Sequence, residues 1–74
     1  MTRSPRTEDE VSFAVNLGRI IATTRRAAKL NQADFATQLG VGRNKIWRWE
    51  TGRALPDAYE LAQIRQLSKG KNDG

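Results

Sequence analysis

Hydrophobic positions along the chain recur with helical spacing. In the first segment Val11, Ala14, Leu17, Ile21 and Ala28 are three, four or seven residues apart, which is typical of one face of an amphipathic helix. Shorter segments repeat this spacing further along, and none alternates in the way a strand does. The pattern predicts an all-α domain of four helices, at about residues 8–29, 32–39, 43–51 and 57–68.

Polar capping residues and glycines predict where these helices begin and end. Thr7 with Glu10, and Asp57 with Glu60, have the spacing of capping boxes, and Asn31 is a suitable N-cap for the second helix. The second and third helices are each followed by a residue that tolerates a left-handed conformation, namely Gly40 and Gly52. The helix boundaries therefore have local chemical signals as well as periodicity.

The 74 residues allow one small domain. Residues 7–68 are expected to form it, between a mobile arm of residues 1–6 and a disordered tail of residues 69–74, because neither terminal segment has apolar periodicity. The apolar runs are too short for a membrane span, so a cytoplasmic protein without a membrane partner is expected. The chain has no Cys and no His, which argues against a zinc site, and no nucleophile–base pair is evident. We therefore expect no enzyme activity, metal or cofactor.

The segment RNKIWRWE, residues 43–50, combines three cations with two tryptophans in a chain of net charge +5. Basicity alone favours a polyanionic partner. On a helix, Ile46, Trp49 and Glu50 share one face, so one tryptophan is expected to pack in the core. The opposite, outward face carries Arg43, Asn44, Trp47, Arg48 and Thr51.

Residues 32–52 have the spacing of a helix-turn-helix, two short helices joined by a turn with glycine. Counted from Gln32, the small and apolar residues occupy positions four, five, eight, ten, fifteen and eighteen: Phe35, Ala36, Leu39, Val41, Ile46 and Trp49. This stretch, NQADFATQLGVGRNKIWRWETGR, closely resembles the helix-turn-helix of the phage-repressor family (lambda-repressor/Cro-like, or XRE-type). The resemblance covers about residues 17–67. It departs at Gly42, where the family usually has a capping Ser or Thr.

The resemblance implies a compact lambda-repressor-like domain whose third helix enters the major groove of double-stranded DNA. The outward side chains suit base edges, since Arg pairs bidentately with guanine and Asn with adenine. Lys45 lies to one side of that face and is expected to meet a phosphate. By resemblance the base-contacting residues are Arg43, Asn44, Trp47 and Arg48, and the phosphate-contacting residues are Asn31, Gln32, Thr51 and Arg53. The resemblance also implies a buried structural ion pair between Arg25 and Glu50.

The function expected from these features is a bacterial or phage transcription regulator, most simply a repressor, that binds a palindromic operator as a homodimer. One recognition helix reads only a few base pairs, and two-fold pairing doubles that information. The alternative is an antitoxin-like or partner-protein-binding module of the same fold. In that case Trp47 and the extended first helix contact a protein, and DNA binding is autoregulatory or absent.

Overall fold

The structure, a computed structural model, describes residues 7–70 of the chain as four helices and the turns between them. These are α1 (Glu8–Ala27), α2 (Gln32–Leu39), α3 (Arg43–Glu50) and α4 (Ala58–Gly70). The described residues contain no strand. The prediction of an all-α, lambda-repressor-like domain is confirmed. The predicted arm of residues 1–6 and the last four residues of the predicted tail, 71–74, lie outside the described residues.

The helix starts are capped as the sequence predicts. The Glu10 backbone N–H donates to Thr7 Oγ1 at 3.1 Å, and the Thr7 N–H donates to Glu10 Oε1 at 3.0 Å. Asp57 and Glu60 make the same reciprocal pair at 2.8 and 2.9 Å. Asn31 Oδ1 accepts from the N–H of Asp34 at 2.7 Å. These bonds satisfy backbone donors that the first turn of a helix leaves free.

The end of α1 was predicted two residues too late, because α1 stops at Ala27 rather than Lys29. Lys29 has a left-handed backbone with φ 62°. Its N–H donates to the carbonyl of Arg26 at 2.9 Å, and the N–H of Leu30 donates to the carbonyl of Arg25 at 3.2 Å. This is the hydrogen-bond pattern of a Schellman motif. The chain needs this sharp turn to start α2 three residues later, and no glycine marks it in the sequence.

The starts of α1 and α3 and both ends of α2 lie where the sequence predicts them, and the other three boundaries differ from the prediction by one or two residues. Thr51 caps α3 rather than continuing it, and α4 begins after its cap Asp57 and continues to Gly70, two residues beyond the predicted end. The expected left-handed glycines are present, Gly40 with φ 72° and Gly52 with φ 79°. The turns on both sides of α3 therefore have the conformation that their residue types favour.

The core is built where α1, α2 and α3 meet, and α4 closes it. Its largest fully buried side chains are Ile21 from α1, Phe35 from α2, and Ile46 and Trp49 from α3. Trp49 is therefore the inward tryptophan, as its position on the helix predicts. The described residues 7–13 are all exposed, so the expected inward position of Val11 is wrong and α1 becomes buried only from Ala14 onwards.

The close approach of α1 and α3 depends on Gly18. A Cβ at that position would lie 2.5 Å from the carbonyl oxygen of Trp49 and 2.8 Å from that of Glu50. Both distances are below any normal non-bonded contact, and the atoms belong to backbone that cannot rotate away. Gly18 thus fixes the distance of α3 from α1, a role that the sequence analysis did not identify.

Candidate nucleic-acid interface

The residues predicted to contact bases form one exposed surface on α3. Arg43, Asn44, Trp47 and Arg48 are all exposed, whereas Ile46 and Trp49 of the same helix are buried. Arg43, Asn44 and Trp47 line a shallow depression on this surface. Within the described part of the chain, the side chains of Arg43, Asn44 and Arg48 make no hydrogen bond or ion pair. Their donors and acceptors are therefore available to a ligand.

Trp47 lies at the edge of this surface with 42% of its area exposed. The guanidinium carbon of Arg53 lies 5.1 Å from the centroid of the Trp47 ring, within the range of a cation–π interaction. One face of the indole is thus covered by a cation from just beyond α3. The two residues form a unit with an apolar plane and a positive charge, which suits contact with a base edge and a neighbouring phosphate.

The inward side of α3 is fixed by a charge network. Arg25 Nε donates to Glu50 Oε2 at 2.7 Å, and Arg25 Nη2 donates to Glu50 Oε1 at 3.1 Å. The two side chains retain only 13% and 8% of their accessible area. Arg25 Nη1 also donates to the carbonyl of Leu30 at 2.9 Å. The ion pair that the resemblance implies is present, and it joins α1, the turn after α1, and α3.

Gln32 extends this network to the start of α2. Its Nε2 donates to Glu50 Oε1 at 3.0 Å, so one carboxylate receives hydrogen bonds from α1 and from α2. An amide nitrogen carries two N–H donors, and the second has no partner within residues 7–70. Gln32 is therefore held beside α3 with one donor still available, and its phosphate contact stays a prediction.

The remaining predicted phosphate ligands lie around the ends of α2 and α3 and already make local contacts. Asn31 Oδ1 caps α2, and Thr51 Oγ1 donates to the carbonyl of Trp47 at 2.8 Å. Arg53 is exposed. The cap uses only the side-chain oxygen of Asn31, so its amide N–H groups can still donate to an anion. Thr51 would have to rotate its hydroxyl away from the carbonyl of Trp47 before it could donate to a phosphate. Their DNA contacts stay predictions.

Lys45 occupies a different environment from the other predicted ligands. Its Nζ lies 2.8 Å from Glu60 Oε2 of α4. The hydrogen bond that Lys45 donates to Glu60, reinforced by the negative charge of that carboxylate, raises the pKa of Lys45 above its ordinary value. In the free protein this ammonium pairs with Glu60 of α4, while about half of the Lys45 side chain, 51%, stays exposed to solvent. A phosphate would have to compete with Glu60 for it.

Sequence reasoning missed the pairing of Lys45 with Glu60. Glu60 was identified only as a capping residue, and it does accept the N–H of Asp57 with one carboxylate oxygen while binding Lys45 with the other. The two residues are 15 positions apart, and no periodic pattern relates them. The only available signal was the position of Lys45 between the outward and inward faces of α3.

In residues 7–70, no group of three or more His, Cys, Asp or Glu side chains is arranged to hold a metal ion. No helix of that part of the chain has both the length and the apolar character needed to cross a membrane.

Comparisons with known proteins agree with the architecture. Residues 16–69 match the family described as a helix-turn-helix domain. The chain is 32% identical to Multiprotein-bridging factor 1 of Candida albicans, over 100% of this chain and 54% of that protein. It is 34% identical to Multiprotein-bridging factor 1 of Debaryomyces hansenii, over 81% of this chain and 43% of that protein.

The chain thus spans about half the length of the curated relatives it matches. Both relatives are fungal, so they lend no support to the expected bacterial or phage origin. The match over residues 16–69 contains all four helices except the first two turns of α1 and the last residue of α4. The chain belongs to the helix-turn-helix domain family, of the lambda-repressor/Cro-like (XRE) type.

Proposed function

We propose that this chain is a non-enzymatic, sequence-specific double-stranded DNA-binding module of a transcription regulator, with α3 in the major groove. The observation that supports it best is the division of α3 into two faces. Arg43, Asn44 and Arg48 project from a helix whose other side is fixed by Trp49 and Glu50. A rigid helix that presents unpaired hydrogen-bonding side chains has the properties that reading base edges requires.

The proposal includes a homodimer on a palindromic operator, acting most simply as a repressor. Each half-site would be read by one copy of α3, with half-site centres about one helical turn apart. Exposed apolar residues on α1 support self-association, since Phe13 and Ile20 are 58% and 60% exposed and lie two turns apart on the same side of the helix. A bound dimer represses by obstructing polymerase at the operator.

Selection of bound duplexes from a random pool tests both parts of the proposal. Enrichment of one motif would establish sequence-specific binding, and two-fold symmetry in that motif would establish the dimer. A motif without symmetry would remove the homodimer but leave DNA binding. A pool that shows no enrichment over many rounds would contradict sequence-specific recognition.

Arg48→Ala tests the role of α3 within the selected motif. A bidentate contact to a base is worth about 1–3 kcal/mol, so affinity for the motif is expected to fall by roughly five- to 150-fold. Preference should be relaxed at one base pair only. The matched control is Arg65→Ala, which removes another exposed arginine, from α4. Equal weakening on all sequences would show that Arg48 touches only the DNA backbone.

A second candidate is a module that binds a partner protein. Two observations favour it: the exposed apolar side chains of α1, and the relatives' name, multiprotein-bridging factor. In this function α1 contacts a protein, and α3 either contacts DNA at the same time or remains unused. The extended first two turns of α1, which cover little of the core, then provide the contact surface.

The salt dependence of binding separates the two candidates. DNA affinity falls steeply with ionic strength because phosphate contacts release counterions. An apolar protein contact responds weakly. Phe13→Ser should reduce partner binding or self-association and leave binding to a single half-site unchanged, whereas Arg48→Ala should do the reverse.

A further inference from the structure

A basic groove runs between α1 and the C-terminal end of α3, and no predicted function accounts for its α1 wall. Arg19, Thr23 and Arg26 of α1 line one side, and Trp47 and Thr51 line the other. Arg19 and Arg26 are seven residues apart, which places them on the same side of the helix about 10 Å apart along its axis. The groove is therefore bordered on one side by two cations and on the other by the proposed DNA-contacting surface.

The charge of this groove is unbalanced. Its floor includes Arg25 and Glu50, which neutralise one another through two hydrogen bonds. Arg19 and Arg26 are exposed, and neither forms a salt bridge to any residue between 7 and 70. At a separation of about 10 Å along the helix the two exposed charges are largely screened from each other. A negatively charged ligand in the groove would therefore meet two cations that no carboxylate of the described residues neutralises.

The groove is continuous with the outward face of α3. Trp47 lines this groove and also the shallow depression that contains Arg43 and Asn44. A duplex whose base edges reach that depression must place part of its sugar–phosphate backbone beside Trp47. The backbone is then next to Thr51 and faces the arginines of α1. A polyanion that extends beyond the base-reading surface fits this arrangement better than a small isolated anion.

We infer that Arg19 and Arg26 form a second line of phosphate contacts, so that the DNA backbone passes across the groove between α1 and α3. The inference rests on the proposed function and adds to it: α1 contributes affinity without sequence preference. The expected consequence is a steeper salt dependence than the contacts of α2 and α3 alone would produce.

The test compares Arg19→Ala, Arg26→Ala and the double variant with wild type on a short random-sequence duplex and on the selected motif. Fluorescence anisotropy over a series of NaCl concentrations gives the slope of log K against log salt. Each single change should lower the magnitude of the slope by about 1 and reduce affinity roughly five- to tenfold at 0.1 M salt. The reduction should be the same for both duplexes.

Three controls make the outcome decisive. Arg65→Ala removes the same charge from α4 and should leave the slope unchanged. Arg19→Lys keeps the charge and should restore most of the slope. Thermal unfolding of every variant should coincide with wild type, since both arginines are exposed.

If Arg19→Ala and Arg26→Ala change the slope no more than Arg65→Ala while wild type binds DNA, the groove is not a phosphate site and the proposed function stands. If wild type binds no duplex at any salt concentration, both the inference and the proposed function fail. Loss of affinity on the selected motif alone would also overturn the inference, because it would indicate base contact.

Discussion

The two faces of α3 differ in how their side chains are used. On the inner face, Ile46 and Trp49 are fully buried, and Glu50 accepts hydrogen bonds from Arg25 and Gln32. On the outer face, Arg43 and Arg48 are exposed, and their side chains make no hydrogen bond or ion pair within residues 7–70. Eight consecutive residues thus contain fully buried side chains and exposed ones without a hydrogen-bonding partner among the described residues.

This difference indicates that stability and recognition depend on separate residues of one helix. The inner face fixes the position and rotation of α3, and the side chains of the outer face are free to contact a ligand. If the separation is real, inner-face variants should lose stability, and outer-face variants should lose binding at unchanged stability. Each of the following changes examines one side of that comparison.

The largest effect is expected for Glu50→Gln. This change preserves the shape of the side chain but leaves the guanidinium of Arg25, only 13% exposed, without its anion. Removing one partner of a buried pair costs about 3–5 kcal/mol, which is a large part of the stability of so small a domain. Urea unfolding followed by tryptophan fluorescence would measure it.

Lys45→Gln is the matched control for that experiment. It breaks the ion pair between α3 and α4, in which Lys45 is 51% exposed, and a half-exposed pair contributes little. Glu60, although only 11% exposed, keeps the hydrogen bond from the N–H of Asp57. We expect little change in the unfolding midpoint. Equal losses for Glu50→Gln and Lys45→Gln would show that burial does not distinguish the two pairs.

The next largest effect is expected for Gly18→Ala. Helix propensity alone would favour alanine by about 1 kcal/mol. The new Cβ, however, would lie 2.5 Å from the carbonyl oxygen of Trp49, and overpacking of this kind costs about 1–3 kcal/mol or more. Because α3 would have to move away, we expect a net loss of about 1–2 kcal/mol in urea unfolding.

Gly42→Ala provides the corresponding control, since a Cβ at Gly42 would meet nothing within 4 Å. Its effect should be limited to roughly 0.5–1 kcal/mol, because alanine is a poorer N-cap than glycine. A stabilising Gly18→Ala would mean that α1 and α3 are not in close contact at this point.

The role of Gly18 also marks a limit of what the sequence could predict. Periodicity and caps predicted four helices and the buried positions of Phe35, Ile46 and Trp49, because these features are local and repeat with the helical period. A glycine inside a helix does not reveal which backbone approaches it. The left-handed Lys29 was missed for a similar reason, because its conformation follows from the path to α2 rather than from its residue type.

The candidate site was predictable to the extent that it lies on one helix. The outward positions of Arg43, Asn44 and Arg48 follow from helix geometry once Trp49 is assigned inward. The Arg25–Glu50 pair came from the family resemblance, and nothing in the local pattern would have suggested it. The contacts of Lys45 with Glu60 and of Arg53 with Trp47 were not predicted, because each depends on how separate segments meet in the folded chain.

Substitutions at the left-handed residues that end α1 and α2 should change the free energy of unfolding through backbone conformation alone. These changes should be smaller than the loss expected for Glu50→Gln on the inner face of α3. Gly40→Ala places a side chain at φ 72° with no steric neighbour within 4 Å, so it should cost about 1 kcal/mol from conformation alone. Lys29→Gly makes the opposite change at φ 62° and should stabilise the domain by up to about 1 kcal/mol. Thermal unfolding of both would measure the signs, and a destabilising Lys29→Gly would contradict the left-handed turn after α1.

The smallest effect on stability is expected on the outer face. Arg43→Ala and Arg48→Ala remove exposed side chains from a helix in which alanine is at least as favourable as arginine, so unfolding should change by less than about 0.5 kcal/mol. The same variants should lose affinity for the selected motif, because only a ligand uses those guanidinium groups. Urea unfolding and DNA binding should therefore be measured on the same preparations. A loss of stability above about 1 kcal/mol would mean that these arginines support the fold, and the two faces of α3 would no longer have separate roles.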